Sequence, residues 1–255
     1  YKPQKKNYSK DFIKDIRLKV ISAVKRNVTS DVPVSLSLSG GIDSNIILSV
    51  VSKILKKKIM TFSIVDKDKR YDESELINIS LRYNKVKNHK IYLSKIKLED
   101  FVKDLKKQIN FNSKPLYTIT SYVSNKLHQK IKQKGYKVSL TGVGADELFA
   151  GYYDHGLYFL KEQKKIKFKN ELRFWKKNIL KYIRNPHLKN FNKFLKHDYY
   201  TDHIFFTNQN LRDIMKIKNY SKFSDKKFCI DKLRNRMLNQ LFYETVPTIL
   251  NEDDQ

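Results

Sequence analysis

A chain of 255 residues, 40% hydrophobic and 31% charged, has enough apolar material for a large folded core, which excludes a disordered polypeptide. Its one cysteine, Cys229, excludes an internal disulfide framework and a cysteine zinc cluster. No apolar run is long enough to cross a bilayer, and Tyr1-Lys-Pro-Gln-Lys-Lys is not followed by the hydrophobic core of a secretory signal. A formal charge of +27 would suit a polyanionic partner. The lysines are scattered, however, as in Lys53, Lys56, Lys57 and Lys58, and accompany abundant Ile, Asn, Tyr and Phe. That is the pattern of AT-rich coding and solvated faces. Neither nucleic acid nor a membrane is therefore expected as a partner, and a cytoplasmic location is. The opening on Tyr1 and the stop at Gln255 give the expectation of a piece of a longer protein.

Apolar residues recur at helical spacing from about Lys10 to Asn27. Val34, Leu36 and Leu38 then alternate with serines as a strand, and Ile42 to Leu55 resume a helical pattern. The order continues with a strand at Ile59 to Val65, a helix at Ser74 to Tyr83 and a strand at His89 to Leu93. Helices at Leu98 to Ile109 and Leu116 to Lys132 precede a fourth strand, Tyr136 to Thr141. Strands alternating with helices predict a doubly wound α/β domain with a parallel sheet. Beyond about Tyr153 the pattern changes. Helical periodicity returns near Glu171 to Ile183 and Cys229 to Leu250, and Phe168, Phe174, Trp175 and Tyr182 are expected in the core of a helical layer.

The strand at Leu38 runs directly into Ser39-Gly40-Gly41 and a helix. In a parallel sheet this is where ligands bind, and glycines beside a helix N-terminus make a phosphate cradle. The competing reading is a tight turn in which Ser39 or Asp43 merely caps the helix. The stretch lacks both the Gly-Lys-Ser/Thr of a Walker loop and the three-glycine dinucleotide fingerprint.

Ser-Gly-Gly-Ile-Asp-Ser, residues 39–44, resembles the PP-loop of ATP pyrophosphatases, a Rossmann-like fold. The second stretch, Leu140-Thr-Gly-Val-Gly-Ala-Asp-Glu-Leu-Phe-Ala-Gly-Tyr152, is similar to the G-x-G-x-D-E-L/V-F-x-G-Y signature of the asparagine synthetase B family. Ser30-Asp-Val-Pro-Val34, Tyr71-Asp-Glu-Ser-Glu75, His89, Arg236-Met, Glu244, Pro247 and Asp253-Asp254 extend the resemblance along the chain. It implies a PP-loop synthetase domain over residues 1–153, a helical continuation over 154–255, and a glutaminase domain outside this chain.

The resemblance further implies ATP and Mg²⁺. Ser39, Gly40, Gly41 and Ser44 would hold the pyrophosphate, and Leu38, Ile64, Thr141 and Gly142 would contact adenosine, ribose or the α-phosphate. Asp43 and Asp146 would share the metal, and Asp43, Asp146 and Glu147 would be catalytic. The implied reaction is adenylation of a small carboxylate, aspartate or an analogue, followed by amination with glutamine-derived ammonia. The glutaminase domain or free ammonia, and a second copy of the chain, are the implied partners. One position departs from the pattern: where synthetases of the family commonly carry an acid, this chain has Val143, which cannot accept a proton. An altered product and a nucleotide-binding relative without catalysis are both compatible with that valine. A tRNA-modifying PP-loop ATPase would share residues 39–44 but not the second signature.

Overall fold

The computed structural model describes residues 11–113, 118–196 and 225–253. They form two compact units, one of residues 11–143 with 250–253 and the other Gly144–Ile249. Lys10, Leu116 and Asp254, which entered the expectations above, lie outside the described residues.

In the first unit the elements are α1 (Phe12–Asn27), β1 (Val34–Ser37), α2 (Ile42–Ser49), β2 (Met60–Val65) and α3 (Ser74–Asn84). They continue with β3 (Lys87–Tyr92), α4 (Leu98–Asn112), α5 (Ile119–Gln133) and β4 (Val138–Leu140). The strands make one parallel sheet in the order β3-β2-β1-β4. Register pairs Leu36 with Thr61 and Leu140, and Ile64 with Ile91. Helices cover both faces. Leu36, Leu38 and Leu140 pack with Val24, Leu48, Val51 and Ile77 on one side. Phe62, Met60, Ile64 and Ile91 pack with Leu127, Ile131 and Tyr136 on the other. The expected doubly wound α/β fold is therefore present.

β1 is central and enclosed on both faces, so its serines are not a solvent edge: Ser35 and Leu36 are equally buried. Buried hydroxyls need partners. Ser35 Oγ donates to the Val138 carbonyl at 3.0 Å, and Ser37 Oγ lies 3.0 Å from Ser139 Oγ. On the neighbouring strand Ser63 Oγ donates to the Leu38 carbonyl at 2.7 Å. The serines thus stitch β1 to β4 and β2 side by side.

Element boundaries differ from expectation where side chains intervene. The helix expected over Ile42 to Leu55 ends as α-helix at Ser49 and continues as a π turn, Val50–Ile54. There the Ser52 hydroxyl sits 2.8 Å from the Leu48 carbonyl and 2.7 Å from Asn84 Oδ1, pulling the turn wide. α5 starts at Ile119 because Thr118 caps it, its Oγ1 accepting from the Thr120 amide.

Among the described residues of the second unit every regular element is helical: α6 (Ala145–Phe149), α7 (Tyr153–Lys161), α8 (Lys165–Asn178), α9 (Pro186–Lys189) and α10 (Phe191–Lys196), then α11 (Lys232–Phe242) and the start of α12 (Thr245–Asp253). Its core is Leu157, Tyr158, Leu160, Trp175, Ile183, Leu188 and Phe194. Of the aromatics expected in a core, Trp175 is buried and Phe168 packs against it, but Phe174 and Tyr182 are 58% and 60% exposed. The reason is periodic: Phe168, Leu172, Trp175 and Ile179 share the inward stripe of α8, and Phe174 falls outside it. The helix expected over Cys229 to Leu250 is two helices, interrupted where the Tyr243 and Glu244 amides both donate to the Asn239 carbonyl.

Candidate functional site

In this sheet β1 lies between β2 and β4, so the chain order reverses beside it. A crevice at the carboxyl ends of strands opens at such a switch point. The loop after β1 carries residues 38–44, and the loop after β4 carries Thr141, Gly142 and Val143. The two loops touch. A Cβ on Gly142 would stand 2.8 Å from Asp43 Cβ and 3.2 Å from the Ser44 nitrogen, so only glycine lets β4 end this close to the start of α2.

Within the first loop Ser39 Oγ and Ser44 Oγ are 3.0 Å apart, and the Ser39 amide donates to Ser44 Oγ at 3.1 Å. The Gly41 amide donates to Ser39 Oγ at 3.2 Å. Asn45 ties the turn from below, its Nδ2 donating to the Gly41 and Ser39 carbonyls at 2.7 and 3.1 Å. Gly41 is the N-cap of α2, and among the described residues no side chain caps it; neither Ser39 nor Asp43 plays the capping role that a purely structural turn would require. The first amides of α2 therefore have no side-chain acceptor among these residues, which suits an anion. Asp43, in that first turn, is half-buried.

The remaining residues implied for nucleotide contact differ in accessibility. Leu38 is 3% exposed, and its amide donates to the Phe62 carbonyl while its own carbonyl accepts from Ser63. Ile64 is half-buried near the end of β2 on the α5 face. Thr141 Oγ1 accepts from the Val143 amide at 3.4 Å, and Val143 is 39% exposed.

Asp146 and Glu147 belong to the second unit, whereas Asp43 belongs to the first. Gly144, at φ 94°, takes the left-handed conformation that starts α6, a conformation glycine adopts without steric cost. Asp146 folds back on Gly151: a Cβ there would overlap its Oδ1, at 1.7 Å, and the Gly151 amide donates to the Asp146 carbonyl at 3.1 Å. Gly151→Ala is accordingly expected to push the Asp146 carboxylate aside, a shift that a crystal structure of the variant would read directly.

Glu147 is buried, 3% exposed. The Tyr152 hydroxyl donates to its Oε1 at 2.7 Å, and its Oε2 has no hydrogen-bond partner among the described residues. Burial, then Glu147 itself, push the Tyr152 phenol far up, so it stays a proton donor at neutral pH. The Tyr152 amide donates to His155 Nδ1 at 3.3 Å, which leaves the His155 proton on Nε2, donated to Gln240 Oε1 at 2.5 Å.

A group that the individual motifs did not reveal lies in the same unit. Arg236, 1% exposed, donates to both oxygens of Glu244 at 2.5 and 2.7 Å. It also stands 3.4 Å from Asp154 and 3.6 Å from Asp225. Burial opposes its charge, but Glu244, Asp154 and Asp225 outweigh burial and hold the guanidinium well above its ordinary value. Asp225 is pushed up, first by burial and then by Glu244 and Asp154, against the pull of Arg236. The sequence signal was only Arg236 and Glu244 spaced eight apart; Asp154 and Asp225 join through tertiary packing.

Among the described residues no three His, Cys, Asp or Glu side chains cluster as a metal site. Mg²⁺ bound with a polyphosphate takes only one or two protein carboxylates and fills its octahedron with phosphate oxygens and water. The half-buried Asp43 beside uncapped helix amides fits that mode.

An all-parallel α/β sheet with a glycine loop at its switch point defines a doubly wound α/β domain whose ligand crevice lies at that loop. The asparagine synthase family profile matches residues 15–245, and the chain belongs to that family. It is 33% identical over 147 residues to a putative glutamine-hydrolysing asparagine synthetase 2 of Methanocaldococcus jannaschii, an alignment covering 57% of this chain and 28% of the relative. Against glutamine-hydrolysing asparagine synthetase 1 of Bacillus subtilis it is 32% identical, over 55% of this chain and 21% of the other. It is 27% identical to the amidase chyE of Penicillium rubens, over 56% and 23%. The chain thus spans under a third of the length of these relatives. Among the described residues no helix is long and apolar enough to cross a membrane.

Proposed function

We propose that this chain is the ATP-using part of an amide-forming ligase of asparagine synthetase type, which adenylates a carboxylate, releases pyrophosphate and then aminates the acyl-adenylate. The observation that carries this reading is the uncapped N-terminus of α2 behind Ser39-Gly40-Gly41, wedged against Gly142 at the switch point of the sheet. The family membership supports the same chemistry.

In this reading the Ser39 and Ser44 hydroxyls and the first amides of α2 bind the β and γ phosphates and steady them as a leaving group. Thr141 and Gly142 face the α-phosphate and ribose, and Ile64 borders the adenosine. Asp43 and Asp146 would hold Mg²⁺, which when bound neutralises the charge that develops on pyrophosphate. Tyr152 keeps the buried Glu147 in place and supplies a fixed proton. Positioning and charge neutralisation supply most of the rate, since in-line attack of a bound carboxylate needs no protein nucleophile. Aspartate as the acid and ammonia from a glutaminase domain are the proposed substrates. The proposed site of action is the cytoplasm, and the proposed assembly is of two copies. The deciding experiment follows AMP and pyrophosphate from Mg-ATP with the full-length protein and a panel of acids led by aspartate. Release that requires one acid supports the ligase and names its substrate; ATP binding with silence across the panel supports a nucleotide-binding relative without catalysis.

Val143 provides a second check. It is exposed enough to be replaced by a longer side chain without repacking a core. Val143→Glu is expected to raise amide formation by about a hundredfold, the lower end of the scale of a general base. A fall in product with an unchanged melt would show a site remodelled around the valine.

A further inference from the structure

One donor of the loop is engaged differently from the rest. The Ser39 and Gly41 amides donate to neutral hydroxyls of the loop itself. The Gly40 amide instead donates to a charged oxygen, Oε2 of Glu73, at 2.9 Å, from a residue 33 positions away. The approach is close. A Cβ on Gly40 would stand 3.0 Å from both Glu73 Cβ and Leu76 Cβ, so this glycine is required by the first turn of α3 lying on the loop.

Glu73 is not needed to cap α3. It precedes the helix, yet its side chain makes no cap; Asp72 does that work, accepting from the Ser74 amide at 3.0 Å. Among the described residues no lysine or arginine pairs with it, and Asp72 and Glu75 beside it are acidic too. An exposed carboxylate is thus held on a backbone amide that belongs to a phosphate-binding loop. A carboxylate offers what a phosphate offers, an anionic pair of acceptor oxygens.

Resting on the proposal that residues 39–44 bind polyphosphate, we infer that the Glu73 carboxylate occupies the Gly40 amide in place of a phosphate oxygen, competes with pyrophosphate for it, and so sets the affinity for polyphosphate. Entry of the ligand moves Glu73 off the amide, and its return helps pyrophosphate to leave. The carboxylate is at the surface and among the described residues carries one hydrogen bond, so exchange with a multiply charged ligand is easy in both directions. Its charge also repels a bound polyphosphate, which adds to the competition. The opposite role, a brace that holds the loop ready, predicts the opposite sign.

The test titrates magnesium pyrophosphate, and separately adenosine, into the full-length protein and its Glu73→Gln variant by calorimetry. Gln keeps the length and one acceptor oxygen but not the charge. Pyrophosphate is expected to bind the variant three- to tenfold more tightly, with adenosine affinity and the melting temperature unchanged and the gain reduced at high salt. Equal or weaker pyrophosphate binding by Glu73→Gln, with normal binding by the parent, overturns the competition and leaves the loop reading intact. Pyrophosphate binding by neither protein overturns the loop reading and this inference together.

Discussion

Asp43→Ala is expected to reduce acid-dependent pyrophosphate release by on the order of 10²–10³, the cost of removing one preorganised charge-stabilising group. The fold should hold: Asp43 is half-buried in the first turn of α2, and among the described residues its side chain makes no hydrogen bond or ion pair that ties the loop together. Ser39, Ser44 and Asn45 do that instead. A melt within a degree or two of the parent, beside the lost turnover, separates a metal-binding carboxylate from a structural one. Asp43→Asn discriminates further, because it keeps the shape and removes the charge. If Asn restores the rate, Asp43 is not a ligand for Mg²⁺. If the loss persists but a tenfold higher magnesium concentration recovers part of it, the role as ligand is supported directly.

The second large effect concerns stability. Arg236→Met leaves Asp154, Asp225 and Glu244 in the interior of the second unit without their shared cation. Breaking a buried pair in this way costs about 3–5 kcal/mol, because the abandoned charges stay desolvated. The variant should melt roughly 10 °C lower, or fail to accumulate as a soluble protein. Its pH dependence carries the sign. Carboxylates left buried without that cation have folded-state values raised above those of the unfolded chain, so the stability they contribute is present at low pH and lost as pH rises. Asp225 already leans that way in the parent, pushed up by burial even beside Arg236. The deficit of Arg236→Met should therefore be greatest at neutral pH and shrink as pH falls toward about 4–5, followed by urea denaturation at each pH. A deficit that does not depend on pH would mean that the loss is one of packing volume alone.

The loop that carries Asp43 was legible at once, because a strand, two glycines and a helix start within six positions force a turn whose chemistry is local. The Asp146 and Gly151 relation was legible only as a spacing; its cause, a carboxylate occupying the space where a Cβ would stand, belongs to the folded chain. Glu147 was recognised as an acid but not as a buried one, since nothing in the order of residues says that Tyr152 closes over it. Glu73 gave no signal toward Gly40, because the contact joins two loops 33 residues apart and depends on how α3 settles on the sheet. The aromatics of α8 were split the same way: Trp175 went inward and Phe174 outward by a single step of 100° around the helix.

By itself the sequence determined the strand and helix alternation, the parallel sheet, the loop at residues 39–44 and the family, because periodicity and short motifs are local and survive any packing. Only the tertiary structure decided the rest. It placed β4 beside β1, so that Gly142 meets Asp43. It buried the serines of β1 and paired them across strands. It gathered Asp154, Asp225 and Glu244 around Arg236 from positions up to 90 residues apart in the chain. The physical reason is that burial and charge pairing are set by which surfaces exclude water together, and that is a property of neighbours in space.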